Sequence, residues 1–118
     1  MPRSNYLRAA LPIVDNVVDF GDGTRRLHSL VWEKRITAFE ALRLASEKVH
    51  GFEIKFTGSG ATTFITEIDG QANDNTGQVA QNWMFFVNGE LCTVSCGVYE
   101  LKPSDIVRWV YMVMPNRK

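Results

Sequence analysis

The sequence contains little cysteine and histidine, with two of each among 118 residues, and it has no excess of either charge. Thirteen lysine and arginine residues balance 13 aspartate and glutamate residues. Nucleic-acid-binding domains usually carry a basic excess, and surface-bound membrane proteins a cationic amphipathic helix. Neither pattern is present, and no apolar run is long enough to cross a bilayer. We therefore expect no nucleic-acid partner and no membrane insertion.

The first residues do not predict a signal peptide. The segment begins with basic residues, but Pro12 and Asp15 interrupt the apolar run that should follow. The localisation therefore stays open. A chain of this length is typical of one domain. We expect a single domain over residues 1–118, with 1–12 as a poorly ordered or loosely packed N-terminal segment.

Cys92 and Cys96 are separated by three residues, and their role has three interpretations. They are two small apolar side chains near a hairpin, a small disulfide loop, or two ligands of a metal site. A structural zinc site needs four ligands, and the other donors of this kind, His28 and His50, are distant in sequence. We therefore assign no metal ligands.

One segment has the pattern of an α-helix. Thr37 and Glu40 have the spacing of a capping box, in which side chains pair with the free amides of the first turn. Gly51 is expected to end the helix in the left-handed conformation. Apolar residues recur on one helical face between these signals: Ala38, Ala41, Leu42, Ala45 and Val49.

The rest of the chain has the pattern of strands joined by turns. Asn88-Gly89 is typical of a two-residue hairpin, because both residues tolerate the positive φ of a type I′ turn. The order of elements predicts an α+β fold with a single α-helix packed on a mostly antiparallel β-sheet. The predicted strands are Val14–Phe20, Arg26–Trp32, Phe52–Phe56, Thr63–Ile68, Trp83–Val87 and Asp105–Val113.

No group of residues indicates catalysis. Ser59 lies between glycines but lacks the strand-to-helix turn of a nucleophile elbow. Gly21-Asp22-Gly23 lacks the lysine that follows a phosphate-binding loop. The long loop Asp69–Gln78 contains oxygen ligands, but not at the spacing of a calcium loop. We therefore assign no catalytic residue, and an enzyme of unrecognised type stays open as an alternative.

The aromatic residues of two predicted strands are the most informative group. Trp83 and Phe85 share one face of their strand, and Trp109 and Tyr111 share one face of the last strand. The opposite faces are also apolar, whereas a sheet covered by one helix usually presents polar residues to water. Either a second layer of the chain covers that face, or the face contacts a ligand or a partner.

Four segments carry a family resemblance: Thr37–Leu42, Thr63–Gly70, Asn82–Gly89 and Gly97–Asp105. Together they resemble the C-terminal domain of transcobalamin and intrinsic factor, and the bacterial domains of unknown function grouped with it. The resemblance covers nearly the whole chain from about Val14 and ends at the Trp-Val-Tyr of the last strand.

This resemblance implies a β-rich, β-grasp-like domain. In the vitamin carriers the domain covers one face of cobalamin, and a separate helical barrel covers the other face. The sequence contains no counterpart of that barrel, so high affinity for cobalamin is not implied. By position, the resemblance implies the ligand-binding residues Gly70, Gln71, Trp83, Phe85, Leu91, Gly97, Val98 and Tyr99.

We therefore expect a non-catalytic binding module for a small molecule or a protein partner, with cobalamin implied only by the resemblance. The alternative is a protein–protein interaction or oligomerisation domain without a small-molecule ligand. In that case self-association would use the apolar strand face or an exposed sheet edge. Members of the family are usually extracytoplasmic.

Overall fold

The computed structural model describes residues 11–114. Within this range it contains one α-helix, one 3₁₀-helix and eight strands, which confirms the expected β-rich α+β class. The expectation for residues 1–12 lies outside the described range except for Leu11 and Pro12. In chain order the elements are β1 (Ile13–Asp19), β2 (Arg25–Val31), α1 (Ala38–Ser46), β3 (Ile54–Thr57), the 3₁₀-helix (Gly60–Thr62), β4 (Phe64–Ile68), β5 (Gln71–Ala72), β6 (Gln81–Val87), β7 (Glu90–Leu91) and β8 (Ile106–Val113).

The strands divide between two sheets. The larger sheet has the order β2-β1-β8-β6-β7, and the smaller has the order β3-β4-β5. β1 and β8 are parallel, and the other pairs are antiparallel. The parallel pair brings the first and last strands together at the centre of the larger sheet. A parallel pair requires a long connection, and here α1 and the smaller sheet form part of it.

The larger sheet contains two hairpins, and the one at Asn88-Gly89 forms as predicted. In the β1–β2 turn, Gly21 and Gly23 have positive φ, and the Asp19 carboxylate accepts from the Gly21 amide at 2.9 Å. In the β6–β7 turn, Asn88 has φ 52° and Gly89 has φ 88°, the signature of a type I′ turn.

Helix α1 begins where the capping box predicts but ends earlier than expected. The Thr37 hydroxyl accepts from the Glu40 amide at 3.1 Å, while the Glu40 carboxylate pairs with Arg43. The helix ends at Ser46, so Val49 lies beyond it and is 80% exposed. The expectation for Val49 was therefore wrong.

Gly51 does not supply the left-handed residue after the helix. His50 adopts that conformation, with φ 61°. Position 51 has no room for a side chain, because a Cβ atom there would lie 2.0 Å from the Ser46 carbonyl oxygen. Close approach of the chain, and not positive φ, explains this glycine.

The core lies between the inner face of the larger sheet, helix α1 and the smaller sheet. Alternation along β1 turns Val14 and Val18 inward, and both are fully buried. Helix α1 contributes Leu42 and three buried alanines to the same core. Each fully buried Val or Leu side chain stabilises the fold by about 1.5–3 kcal/mol.

The opposite, outer face of the larger sheet retains exposed apolar side chains. Leu27 on β2 is opposite Val17 on β1, and Leu27 is 63% exposed. Val31, Ile106 and Leu91 are also exposed. The part of the chain that the structure describes therefore leaves much of this face open. None of the helices in that part is long and apolar enough to span a membrane.

The long segment after β4 ties the smaller sheet to the larger one. The Asn73 side-chain amide donates to the Ile65 carbonyl at 3.0 Å, and its oxygen accepts from the Trp83 amide at 2.8 Å. The Tyr111 hydroxyl donates to the Ala72 carbonyl at 2.9 Å. These bonds hold the two sheets at a defined separation, which creates the space described next.

Candidate functional site

A cavity of about 470 Å³ lies between the two sheets. Its floor is the inner face of β6 and β8, where Trp83, Phe85 and Trp109 are each at least 94% buried. The Phe85 and Trp109 rings stack with centroids 5.0 Å apart and planes 29° apart. Three aromatic side chains therefore contribute an apolar floor, because strand alternation and the pairing of β6 with β8 place them all on one face.

Two chain segments form the walls of the cavity. One wall is residues 61–65, which end the 3₁₀-helix and begin β4, and the other is residues 92–96, which follow β7. Threonine and serine hydroxyls on both walls supply polar groups. None of the lining side chains is Asp, Glu, Lys, Arg or His.

Ser95 and Gly97 hold the two walls together. The Ser95 hydroxyl donates to the Thr63 carbonyl at 2.7 Å and accepts from the Gly97 amide at 3.1 Å. A Cβ atom on Gly97 would lie 2.2 Å from the Gly60 carbonyl oxygen and 2.5 Å from Thr63 Oγ1. The contact between the walls therefore requires a glycine at position 97.

The start of helix α1 fixes the second wall. The Phe39 amide donates to the Cys96 carbonyl at 3.0 Å, and the Ala38 amide donates to the Tyr99 carbonyl at 2.9 Å. These are first-turn amides, which have no partner within the helix. The capping region thus positions the cavity wall as well as starting the helix.

The two cysteines line the cavity as free, neutral thiols. Burial raises the pKa of Cys96 to about 11, and burial is also the main reason that the pKa of Cys92 is raised. Metal coordination and nucleophilic attack both need the thiolate. Across residues 11–114, no cluster of three or more His, Cys, Asp or Glu side chains is placed to hold a metal ion. At neutral pH the thiols therefore act as soft apolar groups.

Of the eight sequence-predicted site residues, two line the cavity, and three more lie beside the residues that form it. Trp83 and Phe85 form its floor. Gln71 supports the floor from behind, since its carbonyl accepts from Trp83 Nε1 at 2.7 Å. Gly70 lies in the turn between β4 and β5, directly before Gln71, and has φ 86°. Tyr99 packs edge-on against Phe85, with centroids 6.0 Å apart.

The remaining three predicted residues, like Gly70, Gln71 and Tyr99, do not line the cavity. Gly97 lies behind the walls, at the contact just described. Leu91 pairs with Phe86 on the outer side of the sheet, and Val98 is exposed in the following loop. Their assignment as ligand-binding residues stays a prediction from the family resemblance.

Sequence reasoning missed Trp109 and the wall at residues 61–65. Alternation showed that Trp109 faces the same way as Val107 but not which side of the sheet that is. Trp109 lies opposite Phe85 because β8 pairs with β6 in one particular register. Its Nε1 has no hydrogen-bond partner among the described residues, whereas Trp83 Nε1 has one.

Comparison with solved structures defines the class of the domain. It resembles haptocorrin, solved in complex with Cbi, with a TM-score of 0.70 and 15% sequence identity. The match covers 87% of this chain and 26% of the haptocorrin chain, so this chain corresponds to about a quarter of that protein. The expected transcobalamin-like fold is therefore confirmed.

The chain belongs to the family described as "Domain of unknown function (DUF4430)", whose match covers residues 37–112. A candidate metal-binding protein from Ruminococcus gnavus ATCC 29149 has the same fold, with a TM-score of 0.67 and 18% identity. That match covers 88% of this chain and 99% of the other. No curated protein sequence matches the chain.

Proposed function

We propose that this domain is a non-catalytic binding module that takes an uncharged, largely apolar small molecule, or an uncharged part of a larger one, between its two sheets. The observation that carries the proposal is the cavity with an aromatic floor and no charged side chain in its lining. Its volume falls in the range of small-molecule sites, which are mostly apolar with a few polar groups.

The chemistry of the lining supports binding over catalysis. Cys92 and Cys96 both have raised pKa values, and the serine and threonine hydroxyls of the lining act as nucleophiles only when a general base takes their proton. No histidine or carboxylate lines the cavity to accept that proton. General acid–base or nucleophilic catalysis needs such a partner within hydrogen-bonding distance.

A corrin is the first ligand to test, because haptocorrin is solved with Cbi bound. A cavity of about 470 Å³ suits a drug-sized molecule, so a corrin would enter only in part. An uncharged dye such as Nile red tests the broader proposal of an apolar site. Two of the three tryptophans form the floor, so their fluorescence reports binding of either probe.

The decisive experiment places a charge at the cavity mouth. Val94 lines the cavity and is 53% exposed, so V94D leaves the fold intact. A ligand that covers the carboxylate must remove its water, which costs at least the roughly 1–3 kcal/mol of an uncharged polar group and weakens binding at least about fivefold. V79D is the matched control, since Val79 is 61% exposed in the loop before β6 and does not line the cavity.

Binding of Nile red that V94D weakens and V79D leaves unchanged supports the proposal. Cyanocobalamin binding with the same pattern would identify the ligand class as corrins. If neither probe changes the tryptophan fluorescence at high micromolar concentration, or if both variants behave alike, the cavity is not the binding site.

A further inference from the structure

Strand β2 forms an edge of the larger sheet, with a regular row of peptide groups that have no hydrogen-bond partner within residues 11–114. The Trp32 amide donates to the Pro12 carbonyl at 2.9 Å, and the Phe20 amide donates to the Thr24 carbonyl at 3.1 Å. Peptide groups along an antiparallel strand alternate in direction. The even-numbered residues of β2 therefore bond to β1, and the odd-numbered residues from Arg25 to Val31 direct their N–H and C=O groups outward.

β1 confirms this alternation independently. The Asp15 amide donates to the Asp105 carbonyl at 3.1 Å, and the Ile13 carbonyl accepts from the Ser104 amide at 2.7 Å. Odd-numbered residues of β1 therefore bond on the β8 side, which leaves the even-numbered ones for β2. Within residues 11–114, no backbone or side-chain bond reaches the outward peptide groups of β2.

The edge carries charge at Arg25 and Arg26 but otherwise lacks the features that usually prevent strand addition. It is seven residues long, contains no proline, and pairs with β1 without a bulge. Its outward-bonding residues place two exposed apolar side chains, Leu27 and Val31, on the outer face of the sheet. A long, regular edge that carries exposed apolar side chains is suited to pairing with another strand.

The side chains of β2 are complementary to a second copy of β2 in one antiparallel register. With Ser29 on the twofold axis, Leu27 lies opposite the partner's Val31, and Val31 opposite the partner's Leu27. Arg25, whose guanidinium also lies 3.5 Å from the Asp19 carboxylate of its own chain, is then opposite the partner's Glu33, two residues beyond β2, and both side chains are exposed. Cross-strand apolar pairs and opposite charges both stabilise an antiparallel sheet.

Neighbouring registers match less well. With Leu27 on the axis, Arg26 lies opposite the partner's His28. With His28 on the axis, Arg25 lies opposite the partner's Val31, and Leu27 lies opposite the partner's Ser29. Neither arrangement pairs opposite charges, and the second also places apolar beside polar side chains. Only the register centred on Ser29 aligns both kinds of pair.

We infer that two copies of this chain associate through β2, in antiparallel register about Ser29, so that the two larger sheets become one continuous sheet. This inference is independent of the cavity and of its ligand. The interface uses backbone hydrogen bonds along the edge, the Leu27 and Val31 pairs, and the two Arg25–Glu33 pairs.

The test measures the mass of the full chain in solution by sedimentation velocity over a wide micromolar range. The wild-type chain is expected to shift from one to two copies as concentration rises. L27K puts a charge on the edge and should raise the dissociation constant about tenfold or more. V79K is the matched control, because Val79 is 61% and Leu27 63% exposed, and it should leave association unchanged.

A charge-exchange experiment tests the register. R25E places two acidic side chains opposite each other, and E33R places two basic side chains opposite each other. Each variant alone should therefore dissociate about tenfold more readily. An equimolar mixture of the two should associate again, because each chain then offers the charge that its partner lacks.

A wild-type chain that remains a single copy at every concentration overturns the inference. Association that L27K and V79K affect equally shows that β2 is not the contact. If L27K prevents association but the mixed charge variants do not associate, the proposed register is wrong. Circular dichroism of each variant checks that its fold is retained.

Discussion

Substitution of Gly97 by alanine tests whether the two cavity walls touch as closely as the structure indicates. The added methyl group would lie 2.2 Å from the Gly60 carbonyl oxygen, 2.5 Å from Thr63 Oγ1 and 2.9 Å from Thr63 Cβ. Carbon and oxygen atoms at these distances overlap strongly. Because the nearest atom belongs to the backbone, the walls must move apart, and a side-chain rotation does not relieve the overlap.

The cost follows from the overlap and from the bonds that it disturbs. Overpacking of a well-packed region costs about 1–3 kcal/mol. Moving the walls apart also weakens the hydrogen bond from Ser95 to the Thr63 carbonyl, which is 2.7 Å long and contributes about 1 kcal/mol. We therefore expect G97A to lower the free energy of unfolding by about 3 kcal/mol. For a domain of this size that corresponds to a fall in Tm of roughly 12 °C.

The matched control is G77A. Gly77 also has no positive φ, and the nearest atom to an added Cβ is the Val79 carbonyl oxygen at an unstrained 3.9 Å. Replacing it should leave stability unchanged or raise it by up to about 1 kcal/mol, because alanine reduces the entropy of the unfolded chain. Urea unfolding followed by tryptophan fluorescence compares the two variants. Equal stabilities would refute the close contact between the walls.

Two further predictions concern buried groups of the cavity. Burial raises the pKa of the Cys96 thiol from 9.0 to about 11 in the folded chain, so the unfolded chain loses the thiol proton at lower pH. The free energy of unfolding is therefore unaffected below pH 9 and falls by on the order of 2 kcal/mol between pH 9 and 11. Urea unfolding at several pH values should show a smaller fall for C96A, and an identical fall would contradict the burial of this thiol. Trp83 Nε1 donates a hydrogen bond to the Gln71 carbonyl, whereas Trp109 Nε1 has no partner among the described residues. W83F should therefore destabilise the domain by about 1 kcal/mol more than W109F. The reverse order in urea unfolding would contradict these hydrogen-bond assignments.

Local signals predicted the elements that depend on neighbouring residues. The capping box at Thr37 and Glu40 located the start of α1, because a helix start depends on a side chain three residues from its partner. Asn88-Gly89 identified the β6–β7 hairpin, because positive φ is a property of the residues themselves. The end of α1 was less predictable. After Ser46 the chain turns back so that Gly51 lies close to the Ser46 carbonyl, and this contact is not visible in a periodic pattern.

The sequence by itself determined the class of the domain, the start of its helix, the Asn88-Gly89 hairpin and which aromatic residues of a strand share a face. Alternation and capping are short-range properties, so the order of residues is sufficient to define them. Only the tertiary structure decided that the strands form two sheets, that Trp109 lies beside Phe85, and that residues 61–65 approach residues 92–96. These contacts join segments distant in the chain, and their register depends on the packing of the whole core.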